Sequence, residues 1–139
     1  MLQATGEKDD MPYRPYNPNP MKKRTNDCVI RSLCKVTNLP WEENYMNLAS
    51  KGLSMYDMPS SNPVWSNYLR DLGYRKYSLS DTCPECYTIS DFCLDNRNGI
   101  FVLATGNHVV YVENGEYYDA WDSGDEIPTS FWIKERFRR

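Results

Sequence analysis

The chain has 139 residues, and its 16 basic and 19 acidic side chains give a net charge of −3 at pH 7. This length fits one domain with a single hydrophobic core. The acidic balance argues against nucleic acid as a partner, because phosphate binding needs clustered Lys and Arg. The apolar runs are too short to span a membrane, and no apolar stretch follows Met1 as in a secretory signal. We therefore expect a protein of the reducing cytosol, with no nucleic-acid or membrane partner.

The composition also limits metal and redox chemistry. In a reducing compartment the five cysteines are expected to be free thiols. Cys83 and Cys86 form the only CxxC pair, so a structural zinc site would need two further ligands from Cys34, Cys93 or His108. The acidic turn after residue 121 matches no calcium-loop spacing. We predict two thiols in a loop, no bound metal and no cofactor.

The N-terminal part of the chain has the composition of a tail. Residues 1–24 have four prolines in their second half and no apolar periodicity. We predict that 1–24 is a flexible Pro-rich tail, which can lie across the domain through Tyr13 and Tyr16. Residues 25–139 are then the single folded domain.

Helical patterns come first in that domain. Asn26 and Asp27 are good N-cap residues, and the apolar positions that follow predict a helix over 27–37. A second helix is predicted over 41–50, and a third starts around Pro63 and runs to residue 73. A capping-box pattern at Thr88 predicts a short helix to about residue 96.

Strand patterns dominate the rest. A short strand is expected within 74–87, and a buried strand over 100–104. Residues 108–112 and 117–121 flank an Asn-Gly turn, which is the strongest short-range signal for a β-hairpin. Residues 130–133 form the last predicted strand. Helices followed by strands indicate an α+β fold, with N-terminal helices packed on a C-terminal antiparallel β-sheet.

Two residues have the features of a nucleophile and its base. Cys28 lies at the N-terminus of the first predicted helix, where unsatisfied N–H groups and the helix dipole lower a thiol pKa. A nucleophilic cysteine also needs a base and a third group that holds the base in the right tautomer. His108 is the only histidine of the chain, and it begins the hairpin.

The hairpin register identifies the third group. With Asn and Gly as the two turn residues, His108 faces Trp121, and both share a sheet face with Asp119. Asp119 is then diagonal to His108 and within reach of the imidazole. Asp122 lies on the other face unless a bulge intervenes, and it stays the alternative third member.

The order of Cys, His and Asp resembles that of papain-like cysteine peptidases. Residues 106–110 and 118–123 resemble small cysteine-peptidase-like proteins of phages and gut bacteria and, more distantly, the peptidase domains of bacteriocin-exporting transporters. The sequence at 119–121, Asp-Ala-Trp, is similar to the Asn-Ser-Trp of papain, where the tryptophan shields the hydrogen bond between histidine and asparagine. The resemblance covers residues 22–133. It implies a papain-like fold and a thiol hydrolase of the bacterial cytosol or of a phage-infected cell, with a peptide or protein substrate.

The resemblance also implies roles for the residues. Cys28 is the implied nucleophile, His108 the general base and then the general acid, and Asp119 the group that orients His108. The bond cleaved is a peptide or isopeptide amide. Acyl transfer and deamidation use the same three residues and stay open, as does the oligomeric state.

One position departs from the pattern of the family. A glutamine usually lies six residues before the cysteine and donates to the oxyanion, whereas this chain has Lys22 there and its only glutamine is Gln3. The implied donors are therefore the Cys28 backbone N–H and the side chain of Asn26 or Lys22. Losing one oxyanion donor costs roughly 100- to 1,000-fold in rate. The alternatives are a papain-like module that binds a peptide without cleaving it, and a zinc-stapled interaction protein built on the CxxC pair.

Overall fold

The computed structural model describes residues 11–134, which form four helices and six strands. The helices are α1 (Cys28–Thr37), α2 (Trp41–Ser54), α3 (Asn62–Asp71) and α4 (Ile89–Asp95). The strands are β1 (Tyr13–Pro15), β2 (Tyr74–Ser78), β3 (Ile100–Ala104), β4 (Val109–Glu113), β5 (Glu116–Asp119) and β6 (Ser130–Lys134). None of these helices has both the length and the apolar character needed to cross a membrane.

All six strands belong to one sheet, in the order β1-β5-β4-β3-β6-β2. β1 is parallel to β5, and the other neighbouring pairs are antiparallel. The predicted α+β class is therefore confirmed, although the sheet is mixed and takes in strands from both ends of the described chain. Helices α1, α2 and α3 contribute to one core cluster and α4 to a second.

Strand β3 shows why the sheet has two cores. Val102 and Ala104 belong to the cluster shared with α1, α2 and α3, whereas Phe101 and Leu103 belong to the cluster shared with α4. Successive side chains of a strand point to opposite faces, so a strand covered on both faces is apolar throughout. This explains the unbroken apolar run of β3 in the sequence.

The N-terminal segment differs from its prediction. The sequence predicts a flexible tail over 1–24, whereas Tyr13–Pro15 forms β1 at one edge of the sheet. Beyond the strand, the Tyr16 amide donates to the Asp119 carbonyl at 2.8 Å, and the Lys35 ammonium lies 5.2 Å from the centre of the Tyr16 ring. A strand of three residues leaves no periodicity to detect, and its partner β5 is about a hundred residues away in sequence. The part of the predicted tail over 1–10 lies outside the described residues.

The helix limits agree with the sequence at most positions. The capping box at Thr88 is confirmed, because its side chain accepts from the Asp91 amide while Asp91 accepts from the Thr88 amide. Helix α2 continues to Ser54, four residues beyond its predicted end. Gly52 is buried inside this helix, and a Cβ there would lie 2.8 Å from the Asp57 carbonyl oxygen. Gly52 therefore allows the following loop to approach the helix closely. It does not end the helix, which continues to Ser54.

The hairpin of β4 and β5 has the predicted turn and register. Asn114 and Gly115 both have positive φ, 52° and 80°, as a two-residue hairpin turn of this type requires. Glu113 pairs with Glu116 across the turn. The observed pairs, from Tyr111 with Tyr118 to the turn, have the predicted register, whereas His108 and Trp121 lie just outside the two strands.

The CxxC segment is a correction. The sequence predicts two thiols in a loop, whereas Cys83 and Cys86 are joined in a disulfide. A tight turn brings their Cα atoms to 4.2 Å, with the Glu85 amide donating to the Thr82 carbonyl at 2.9 Å. Because the two sulfur atoms are bonded to each other, neither is available as a zinc ligand while the disulfide is present.

Candidate active site

The structure brings Cys28, His108 and Asp119 together from three elements. Cys28 is the first residue of α1, His108 directly precedes β4, and Asp119 is the last residue of β5. Helix α1 packs against both strands. The Nε2 atom of His108 lies 2.6 Å from Oδ2 of Asp119, and the Cys28 side chain is close enough to the imidazole to raise the pKa of His108. Because Nε2 is engaged by the carboxylate, Nδ1 is the ring nitrogen left for the thiol.

The Asp119 carboxylate is fully buried and has four hydrogen-bond partners. Its Oδ2 accepts from the Ser123 hydroxyl at 2.6 Å as well as facing His108, and its Oδ1 accepts from the Ala120 amide at 2.8 Å and from Arg31 Nη2 at 2.9 Å. Burial by itself raises the pKa of this carboxyl. The hydrogen bonds of His108 and Ser123 and the charges of His108 and Arg31 outweigh it, so the pKa of Asp119 lies below its ordinary value. The carboxylate is therefore ionised at neutral pH.

The buried ion pair with Arg31 extends the site and is not predicted from the sequence. Arg31 Nη1 donates to Asp27 Oδ1 at 2.6 Å, and Asp27 Oδ2 accepts from the Trp41 indole at 2.9 Å. Asp27 is the N-cap residue, as the sequence predicts. Its side chain, however, binds Arg31 and Trp41 and makes no capping hydrogen bond. The signal in the sequence is the i,i+4 spacing, which places Asp27 and Arg31 one turn apart on the same helix face, with Cys28 directly after Asp27.

Trp121 and Asp122 take different places around the histidine. The Trp121 ring lies over the imidazole, with 4.5 Å between ring centres and 32° between planes. Asp122 accepts from the Tyr117 hydroxyl and, at 3.1 Å, from the Gly124 amide. The carboxylate bonded to His108 is therefore that of Asp119, and Asp122 is held elsewhere.

A cleft of about 400 Å³ opens beside the thiol. Its lining includes the polar residues Asn26, Cys28 and His108 and apolar side chains from α2, α3 and β4, among them Leu48, Trp65 and Val109. Lys22 does not belong to this lining, and its ammonium group donates to the Asn17 carbonyl at 2.9 Å. Of the two side-chain donors considered for an oxyanion, only Asn26 faces the cleft.

His108 is 6% exposed, yet the pKa of its imidazole is raised to about 9. Burial lowers this pKa because it disfavours the charged ring. The hydrogen bonds to Asp119 and Cys28, together with the negative charge of both partners, raise it by more. The arrangement thus favours a protonated imidazole beside the Asp119 carboxylate at neutral pH.

This raised pKa predicts how stability depends on pH. The pKa of His108 is about 9 in the folded chain and 6.5 in an unfolded one, so its stabilising contribution is complete below about pH 6.5 and is lost as the pH rises through 9. We expect the free energy of unfolding to fall from pH 6.5 to 9 in urea titrations. His108→Gln should remove most of that slope. An unchanged slope in this variant would contradict the assignment.

The other free cysteines differ from Cys28. Cys34 and Cys93 are buried, and burial raises the pKa of their thiols to about 11 and about 12. Within 11–134, no group of three or more His, Cys, Asp or Glu side chains is placed to hold a metal ion. Among the described free thiols, the one that is only partly buried and lies beside His108 is therefore that of Cys28.

Comparison with protein-family models, with curated proteins and with solved structures finds no match to this chain. The functional interpretation therefore depends on the geometry of the site. A thiol beside an imidazole, which a buried carboxylate holds by a hydrogen bond, is an arrangement that can serve as a nucleophile, its base and an orienting group.

Proposed function

We propose that this chain is a papain-like thiol hydrolase that cleaves a peptide or isopeptide amide. The observation that carries the proposal is the hydrogen bond between His108 and the buried Asp119, with the Cys28 side chain beside the same imidazole. Its direction supports nucleophilic catalysis, because the carboxylate is bonded to Nε2 and leaves Nδ1 to exchange a proton with the thiol.

In the proposed reaction, the Cys28 thiolate attacks the amide carbonyl carbon while His108 holds the proton of the thiol. The tetrahedral intermediate collapses, the C–N bond breaks, and the imidazolium donates that proton to the leaving amine. Water then attacks the thioester, with His108 as the base. The carboxylic acid leaves and the Cys28 thiol is restored. Asp119 stays ionised throughout and stabilises the imidazolium.

The oxyanion of that intermediate needs hydrogen-bond donors. The backbone N–H of Cys28 belongs to the first turn of α1, whose amides have no acceptor inside the helix. Asn26 lines the same cleft and supplies a side-chain amide. These two groups are the donors in the proposal. Lys22 takes no part, because its ammonium group is bonded to Asn17 outside the cleft.

A second candidate function is favoured by that departure at Lys22. Without the usual glutamine, a papain-like domain can keep its cleft and bind a peptide without cleaving it.

Acyl transfer and deamidation share the first half of the proposed reaction and differ in the acceptor or in the amide attacked. The cleft with its apolar wall fits a peptide in every case.

A peptide-cleavage assay with a matched pair of cysteine variants tests the proposal. A mixture of synthetic peptides is incubated with the wild type, Cys28→Ala and Cys34→Ala, and new termini are found by mass spectrometry. Cys34 lies in the same helix, so its variant controls for the loss of a thiol from α1. We expect the wild type and Cys34→Ala to cleave, and Cys28→Ala to lose at least about 1,000-fold of the rate.

Two other results of this assay would contradict the proposed hydrolase. Cleavage that persists in Cys28→Ala would overturn the proposal. Peptide binding without cleavage, equal in the wild type and Cys28→Ala, would favour the binding module.

A further inference from the structure

Arg31 connects the two carboxylates on either side of it through different nitrogen atoms. Its Nη1 lies 2.6 Å from Asp27 Oδ1, and its Nη2 lies 2.9 Å from Asp119 Oδ1. The first pair lies within one turn of α1, and the second joins α1 to the end of β5 across 88 residues of sequence. The guanidinium therefore ties the helix that begins with Cys28 to the strand that ends with Asp119.

Because these charged side chains are buried, each must keep its hydrogen-bonded partner in place. Arg31 is 3% exposed, Asp27 is 5% and Asp119 is fully buried. A buried charge is tolerated only when it is paired and hydrogen-bonded, and the planar guanidinium fork offers donors in fixed directions. With its Oδ1 held by Arg31, the Asp119 carboxylate presents Oδ2 to His108.

We infer that Arg31 is a positioning residue, which fixes the Asp119 carboxylate against His108 and keeps it ionised over the pH range in which Cys28 reacts. The inference rests on the proposed function. In this reaction Arg31 acts on the reacting groups through Asp119, and its guanidinium carbon also lies 5.6 Å from the centre of the Trp121 ring.

The groups that face Asp119 come from four parts of the fold. His108 faces it from the start of β4, Arg31 from α1, and Ser123 from the loop after β5. The Tyr13 hydroxyl of β1 donates to its backbone carbonyl at 3.3 Å. Among these, Arg31 is the permanent positive charge, since an arginine does not lose its proton in proteins. Its charge therefore favours the ionised form of Asp119, while its directed Nη2 bond sets the orientation of that carboxylate.

Arg31→Lys tests this with a small change. Lysine keeps the charge but, as a single ammonium, does not reproduce the two directed bonds of the fork. With Oδ2 of Asp119 held less firmly against His108, the imidazolium is stabilised less. We therefore expect the acid limb of Cys28 alkylation by iodoacetamide to move up by about one pH unit, which lowers the rate on that limb about ten-fold. At pH 8 the two rates should agree within about two-fold. Arg14→Lys is the matched control, because it makes the same change in the Arg14–Glu116 pair at the neighbouring strands.

The pH profile separates positioning from support of the fold. A merely structural arginine would lower the melting temperature in Arg31→Lys and leave the pH profile of alkylation superimposed on that of the wild type, which would overturn the inference. A wild-type Cys28 with ordinary thiol reactivity would instead overturn the proposed function itself. The two failures are therefore distinguishable in one experiment.

A measurement on the wild type keeps the inference testable if Arg31→Lys does not fold. The Nη protons of Arg31, followed by NMR, should resist solvent exchange until the pH at which Cys28 alkylation also fails. Coincident midpoints support the inference. Nη protons that exchange freely throughout the reactive range overturn it.

Discussion

Replacing Asp119 by alanine is expected to destabilise the chain by about 3–5 kcal/mol, as removal of one partner from a buried ion pair does. The substitution leaves Arg31 and His108 facing a buried space without their shared counter-ion. It also leaves the Ser123 hydroxyl without its acceptor. Urea unfolding at pH 7 gives the change in the free energy of unfolding directly.

Asp122→Ala is the matched control for this prediction. Asp122 is exposed, three residues away in sequence, and accepts from Tyr117 and Gly124. Its loss should cost about 1 kcal/mol, in the range of an ordinary hydrogen bond. Equal losses at the two positions would contradict the assignment of Asp119 as the centre of the buried network.

The parts of the site that could be predicted depend on local chemistry. The Asn-Gly turn fixes the hairpin register of the observed pairs, and extending that register predicts His108 and Asp119 on one face before any tertiary contact is considered. The position of Cys28 at a helix start follows in the same way from the cap residues before it. Each of these inferences needs only neighbouring residues or a two-residue turn.

The parts that could not be predicted depend on contacts between distant segments. Arg31 and Asp119 are 88 residues apart, and nothing in either local sequence marks them as partners. Strand β1 has three residues and obtains its hydrogen bonds from β5. Ser123 follows Asp119 by four residues, but its bond depends on how the loop after β5 folds back.

The disulfide between Cys83 and Cys86 is not predicted from the sequence, for a different reason. The expectation of free thiols came from the presumed compartment, whereas the pairing of Cys83 with Cys86 follows from the tight turn between them. The spacing of the two cysteines therefore predicts their pairing better than the expected compartment does. The two-residue spacing of a CxxC pair allows the sulfur atoms to meet without help from the rest of the fold.

The central claim is that His108 activates Cys28, and the rate of Cys28 alkylation tests it most directly. At pH 6 an ordinary thiol is almost wholly protonated, whereas a thiol paired with an imidazolium is mostly thiolate. We expect limiting iodoacetamide at pH 6 to modify Cys28 about 100-fold faster in the wild type than in His108→Ala, with the modified residue located by mass spectrometry. Cys34 and Cys93 serve as internal controls, since both are buried.

The two possible results decide the claim. Selective alkylation of Cys28 near pH 6, lost in His108→Ala while the variant stays folded by circular dichroism, is the predicted result. A Cys28 that reacts at the same rate in both chains, with the steep rise of an ordinary thiol above pH 8, would contradict the account.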